Sequence, residues 1–109
     1  MTVAETFQAM IASFNPARAA GVNKTLQWNI GQSSGGQWAI RVQNQTCELI
    51  PGGVEKPDIV FHANESDWLA LSEGKLDETI AFMMGKVKIV GDMGLAMKVH
   101  ALFPKRHRS

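Results

Sequence analysis

The chain has little net charge and almost no cysteine, and both shortages limit what it can do. Its single cysteine, Cys47, excludes an internal disulfide and a cysteine-based zinc site. The formal net charge is +1, from 11 Lys and Arg against 10 Asp and Glu. Because phosphate binding needs a basic face, we expect no nucleic-acid partner. One free cysteine also fits a reducing compartment, so we predict a cytoplasmic protein.

Long hydrophobic runs and targeting signals are also lacking. No stretch approaches the ~18 apolar residues of a membrane span, and no secretory signal opens the chain. The 109 residues are 45% hydrophobic and 19% charged, a globular composition for one domain. We assign residues 1–104 to that domain and residues 105–109 to a basic, solvated C-terminal tail.

Hydrophobic periodicity divides the domain into helices and strands. Apolar residues at helical spacing predict helices over 2–14, 64–72 and 78–84, and a last helix that begins after Asp92 and ends before Pro104. Alternating apolar residues predict strands at 24–30, 37–43, 46–50, 58–63 and 86–90. Because short turns join antiparallel neighbours, we predict an α+β fold: one five-stranded antiparallel sheet covered by four to five helices.

The segment from Asp67 to Lys98 is the most distinctive part of the chain. It holds four of the six Met residues and four of the ten Gly residues. Met is flexible and polarizable, so a wall rich in Met can repack around different apolar ligands. On the pattern alone, however, a stripe of Met and Phe is more often ordinary core than the wall of a ligand pocket.

Candidate catalytic and metal-binding residues are few. His62 and His100 stand in no metal-binding motif, and we expect structural or surface roles for both. Cys47 alternates with polar neighbours on a strand and has no base beside it in sequence, which favours a small core residue. We therefore predict no catalytic residue, no metal site and no cofactor.

Several short motifs of the Asp67–Lys98 segment resemble the sterol carrier protein (type two) family. The matching pieces are Asp67-Trp68-Leu69, Gly74-Lys75, Ala81-Phe82, Gly85-Lys86-Val87-Lys88-Ile89 and Gly91-Asp92-Met93. The resemblance implies a five-stranded sheet covered by helices, with an apolar tunnel between them. It also implies non-covalent binding of fatty acids, acyl-CoA, sterols or other lipids. Since the last residues are not a peroxisomal signal, we expect a stand-alone, prokaryotic, cytosolic member.

The resemblance and the residue pattern together predict a lipid-binding and lipid-transfer protein that is not an enzyme. Its ligand is an apolar lipid, such as a fatty acid, an acyl-CoA or a sterol-like molecule, held in an internal hydrophobic tunnel. The alternative is an accessory module that holds a partner or presents a lipid or quinone intermediate to an enzyme. Beyond the lipid, we expect transient contact with a membrane surface and a weak homodimer. The predicted ligand-binding residues are Trp28, Ile40, Phe82, Met83, Met84, Met93, Met97 and His100.

Overall fold

The computed structural model describes residues 2–31 and 36–104, which form an α+β domain with one five-stranded sheet and four α-helices. The predicted tail, residues 105–109, lies outside the described residues. The helices are α1 (Val3–Ala12), α2 (Glu65–Ser72), α3 (Glu78–Met83) and α4 (Met93–Leu102), with a 3-10 turn at Pro16–Ala19. The strands are β1 (Lys24–Ile30), β2 (Gln37–Gln43), β3 (Thr46–Pro51), β4 (Ile59–Ala63) and β5 (Val87–Gly91).

Each α-helix begins at a polar side chain that accepts a hydrogen bond from a backbone N–H three residues later. These N-cap residues are Thr2, Asn64, Asp77 and Asp92. Glu5 completes a capping box by accepting from the backbone N–H of Thr2 at 2.7 Å. That hydrogen bond holds the pKa of the Glu5 carboxyl below its usual value, and the backbone N–H that Asp92 caps does the same for the Asp92 pKa.

The strand order corrects one prediction. The sheet runs β3-β2-β1-β4-β5, and β1 pairs with β4 in parallel, whereas the other three pairs are antiparallel. The prediction of a purely antiparallel sheet was therefore wrong for one strand pair, β1 and β4. The seven residues between Pro51 and Ile59 explain the difference. They can span roughly 23 Å, enough to cross the ~14 Å from β3 to the far side of β1 instead of returning beside β3.

Gln27 holds this crossover against the sheet face opposite the helices. Its side-chain Oε1 accepts a hydrogen bond from the backbone N–H of Val54 at 2.8 Å. Gly53 has a φ of +81°, and a Cβ there would lie 2.7 Å from the same Gln27 oxygen. Only glycine meets both requirements without strain, so the chain can pass closely over Gln27 at this point.

The hydrophobic core lies between the other sheet face and the helices. Side chains at alternate positions of β1, β2 and β4 point toward the helical layer. Six large apolar side chains have no exposed surface at all: Phe7, Leu26, Ile40, Val42, Ile59 and Leu102. They come from α1, three strands and the end of α4, so this part of the helical layer is sealed onto the sheet.

Candidate functional site

A cavity of about 890 Å³ lies between the helix-covered face of the sheet and the four α-helices. Strands β1, β4 and β5 form its floor, and each α-helix contributes side chains to its walls. The volume lies in the range of small-molecule binding sites, ~300–1,000 Å³. We take this cavity as the candidate functional site.

Three aromatic side chains form the inner wall. The parallel register of β1 and β4 places Trp28 opposite Phe61, and their rings stack with centroids 5.2 Å apart. Trp68 approaches from α2, and its indole N–H donates to Thr6 Oγ1 at 2.7 Å. Phe7 packs behind them, stacked on Trp68 at 5.1 Å. The inner end of the cavity is therefore an apolar surface. The indole N–H of Trp68, which lies on this surface, is already hydrogen-bonded to Thr6.

Charged and polar side chains also line the cavity. Lys75 lies in the turn after α2 and pairs with Glu73, Nζ to Oε1, at 3.1 Å. His100 on α4 faces Glu78 on α3, with 3.9 Å between Nε2 and Oε2. All four side chains line the cavity. The site thus has both an apolar inner wall and polar side chains, a combination that suits a ligand with an apolar body and a polar head group.

The serine and threonine hydroxyl groups of the cavity wall are hydrogen-bonded to the backbone of their own helices. Thr6, Ser13 and Ser72 each donate to a carbonyl oxygen of the helix that carries them, at 2.6, 2.9 and 2.9 Å. A serine or threonine nucleophile instead needs its hydrogen directed to a base. Cys47 lies outside the wall, and burial raises the pKa of its thiol, which disfavours a reactive thiolate.

Metal binding and membrane crossing find no support in the described ranges, 2–31 and 36–104. Within them, no three His, Cys, Asp or Glu side chains are grouped where they could hold a metal ion. None of the helices in that part of the chain has the length and apolar character needed to cross a bilayer.

Three of the predicted ligand-binding residues line the cavity. Trp28 forms part of the inner aromatic wall, Phe82 contributes from α3, and His100 stands on α4 beside Glu78. They come from separate elements and converge only in the folded chain. Their contact with a ligand stays a prediction.

The other five predicted residues lie off the wall. Ile40 faces the helices from β2 but is fully buried in the sealed core. The remaining four share a long flexible side chain and an exposed position on or next to α3 and α4: Met83, Met84, Met93 and Met97. These methionines thus lie on the outer surface of helices that contribute to the cavity wall, and not on the wall itself.

Sequence reasoning did not assign several residues of the wall to the site. Alternation along the predicted strands sets Phe61 on one face of its strand and Val87 and Ile89 on the inward face of theirs, but only the β1–β4 pairing brings β4 and β5 next to Trp28. Trp68 belonged to the apolar stripe of α2, a signal that does not separate core from cavity. Strand pairing is the missing information, because it decides which inward faces share one space.

Comparison with known proteins finds one family model and several curated relatives that are similar to this chain. The model of the SCP-2 sterol transfer family matches residues 7–104. Hydroxysteroid dehydrogenase-like protein 2 of Xenopus laevis is 33% identical over 99 residues, covering 90% of this chain and 24% of that protein. Sterol carrier protein 2 of Homo sapiens is 42% identical over 65 residues, covering 60% of this chain and 12% of that protein. The chain therefore spans about a quarter or less of these curated relatives.

The fold also has a close structural counterpart. The solution structure of sterol carrier protein domain 2 of Helicoverpa armigera superposes with a TM-score of 0.73. The two sequences are 28% identical, and the match covers 97% of this chain and 90% of that one. The likeness confirms the α+β architecture predicted from the sequence.

Proposed function

This chain belongs to the SCP-2 sterol transfer family, and we propose that it binds an apolar lipid reversibly in the cavity between its sheet and helices and transfers it without making or breaking a bond. The observation that carries the proposal is the cavity of about 890 Å³ with an aromatic inner wall. The ligand is a fatty acid, an acyl-CoA or a sterol-like molecule. We place this activity in the cytoplasm, in line with the free thiol of Cys47.

The cavity is partly open to solvent, and an enclosed dry void of the same volume would be too costly for a small domain. At ~24 cal/mol per Å³, a void of that volume would cost about 21 kcal/mol, whereas a whole domain is stable by only ~5–15 kcal/mol. The space is therefore filled with ligand, filled with water, or reduced by movement of the helices.

The composition of the wall supports one orientation of the proposed ligand. Its apolar body packs on Trp28, Phe61 and Trp68, and its polar head lies toward Lys75 and His100. A chain of about sixteen carbons gains roughly 12 kcal/mol on burial at ~0.8 kcal/mol per CH₂. Association costs ~4–15 kcal/mol, so the apolar body alone gives at best about micromolar binding, at the low end of that cost.

A cavity-filling substitution tests this proposal. Ala96 lies on the cavity wall, whereas Ala101 lies on the same helix, exposed and off the wall. We expect Ala96→Phe to weaken binding of a fluorescent fatty acid by at least about tenfold, since the ring occupies ligand volume. Ala101→Phe, the matched control, should stay within about twofold of wild type. Wild-type protein that binds no fatty acid, acyl-CoA or sterol would rule the proposal out.

The second candidate is an accessory module that holds a partner or presents a lipid or quinone intermediate to an enzyme. The observation in its favour is that the chain corresponds to only part of longer relatives, one of them dehydrogenase-like by name. A gentle pull-down separates the two candidates: a stoichiometric protein partner recovered without bound lipid favours the module. A weak homodimer stays a prediction for either case.

A further inference from the structure

The exposed members of the cavity wall come from the helical layer. They are Ala9 on α1, residues 73–75 after α2, Phe82 on α3, and His100 and Pro104 at and after the end of α4. The wall residues on β1, β4 and β5 are instead buried or half-buried. The cavity therefore opens to solvent through the helical layer and not through the sheet.

Two gaps in the helical layer are closed by hydrogen bonds. The indole N–H of Trp68 donates to Thr6 Oγ1 at 2.7 Å and ties α2 to α1. The backbone N–H of Asn15, which follows α1, donates to the carbonyl oxygen of Leu102 at 2.9 Å and ties the end of α4 to that segment. Leu102 itself has no exposed surface. A ligand that passed at either place would leave sheltered polar groups without partners, which is costly.

Two further edges are held by ion pairs and a backbone hydrogen bond. Lys86, after α3, pairs with Asp67 on α2, with 3.5 Å between Nζ and Oδ1, and the Asp67 side chain is only 15% exposed. At the start of α4, the backbone N–H of Asp92 donates to the carbonyl oxygen of Asp58 at 3.1 Å, and the Asp92 carboxylate lies 3.6 Å from Lys24 Nζ. These contacts hold α3 against α2 and the start of α4 against the sheet.

The contact between α3 and the second half of α4 is of a different kind. Glu78 Oε2 and His100 Nε2 lie 3.9 Å apart, and their side chains are 40% and 65% exposed. Both side chains line the cavity. An exposed pair at this distance contributes little stability, because water competes for both partners. We call the opening bordered by these two residues the α3–α4 mouth.

We propose that the lipid enters and leaves the cavity through the α3–α4 mouth, by separation of Glu78 from His100. The inference rests on the proposed function, because it names the route to the same cavity. At the other edges a passing ligand would break sheltered hydrogen bonds, whereas here it displaces an exposed pair whose partners regain water. Phe82 borders the same route: it lines the cavity and is 48% exposed, so it offers an apolar contact between solvent and the inner wall.

A reversible cross-link across the mouth tests the route. Glu78→Cys with His100→Cys, in a Cys47→Ala background that removes the native thiol, would be joined by a bismaleimide whose spacer contains a disulfide. The cross-link should slow both uptake and release of a fluorescent fatty acid by at least about tenfold. The Kd should change by less than about threefold, because a closed mouth slows both rates alike. Reduction of the spacer should restore both rates.

Arg41→Cys with Glu48→Cys is the matched control. This pair joins β2 to β3 with 3.6 Å between Nη1 and Oε1, and its side chains are 41% and 67% exposed, close to the values for Glu78 and His100. Neither control residue lines the cavity. The same cross-linker in the same background should therefore leave uptake and release within about twofold of the reduced control protein.

Three results would overturn the proposed route. Unchanged rates in the cross-linked Glu78–His100 variant would place the entrance elsewhere. Equal slowing in the cross-linked control would assign the effect to general stiffening of the domain. Weaker affinity with faster release, relative to the reduced variant, would mean that the cross-link distorts the binding site instead of closing its entrance. Failure of the proposed function is distinct: the Cys47→Ala protein without any cross-link would then take up no fatty acid, acyl-CoA or sterol.

Discussion

Two regions of the helical layer cover the same sheet differently. Where α1 and the end of α4 meet β1, β2 and β4, the contact is complete: Phe7, Leu26 and Leu102 have no exposed surface. Where α3 and the first turns of α4 meet β5, large apolar side chains such as Met83 and Met97 face solvent. Similar apolar residue types therefore have opposite environments within one small domain.

This difference suggests a division of roles, in which the sealed region stabilises the fold and the α3–α4 region is suited to ligand binding. The sealed region buries the apolar area that stabilises the fold, and its aromatic cluster around Phe7 forms the back of the cavity. The α3–α4 region buries less of its own apolar surface, so it costs less to move. The cavity is already partly open to solvent, and the α3–α4 region is the part of its wall whose own apolar side chains are most exposed.

The largest expected effect is the difference in the free energy of unfolding when an apolar side chain of each region is truncated to alanine. Leu26→Ala should lower the free energy of unfolding by about 2–5 kcal/mol, because it leaves a void in the sealed core. Met97→Ala should change it by less than about 0.5 kcal/mol, because that side chain is already in water. Urea denaturation followed by Trp fluorescence measures both. Equal losses would mean that the two regions are not distinct.

A second prediction concerns ligand linkage. Fatty acid at one hundred times its Kd should raise the free energy of unfolding of wild type by about 2.7 kcal/mol. In Ala96→Phe the same ligand concentration should give a much smaller increase, since the affinity is lower. Thermal unfolding with and without ligand checks this. The same increase in both proteins would place the ligand somewhere other than the cavity.

Two glycines give a third prediction: Gly53 lies in the crossover over the sheet face opposite the helices, and Gly85 follows α3. Gly53→Ala should lower the free energy of unfolding by roughly 2 kcal/mol or more, since the new Cβ meets the Gln27 side chain at a positive φ. Gly85, after α3, also has a positive φ, but nothing lies within 4 Å of a Cβ there. Gly85→Ala should therefore cost only about 1 kcal/mol. Chemical denaturation of both variants would reveal the difference, and a Gly85→Ala cost as large as that of Gly53→Ala would contradict it.

The smallest expected effect is on acid stability. Folding lowers the pKa of Glu5 at α1 and of Asp92 at α4, from usual values of 4.5 and 3.8. Their contributions are therefore complete above those values and are lost as the pH falls toward the lower folded-state pKa. Melting temperatures measured from pH 6 down to pH 3 should fall less steeply in Glu5→Gln and Asp92→Asn than in wild type. Unchanged steepness in both variants would contradict this assignment.

Local rules predicted most of the fold. The caps at Thr2, Asn64, Asp77 and Asp92 were all readable from sequence, because an N-cap bond joins residues only three apart. The parallel β1–β4 pair was not readable, because the seven residues between β3 and β4 are long enough either to return beside β3 or to cross to β1, and local patterns do not decide between the two.

The candidate site was harder to predict for the same reason. Trp28 followed from strand alternation, but its neighbour Phe61 depends on the parallel pairing. The methionines illustrate a second difficulty. A flexible apolar side chain such as Met83 suits the inside of a pocket and an exposed binding surface equally well, so composition does not decide between them.

Hydrogen exchange tests the contrast between the two regions most directly. Lipid-free protein should exchange its α3 and α4 amides orders of magnitude faster than those of β1 and α1, and saturating fatty acid should slow α3 and α4 selectively. Amides of α3 and α4 that are as protected as those of β1 without lipid, and unchanged when lipid is added, would contradict the account.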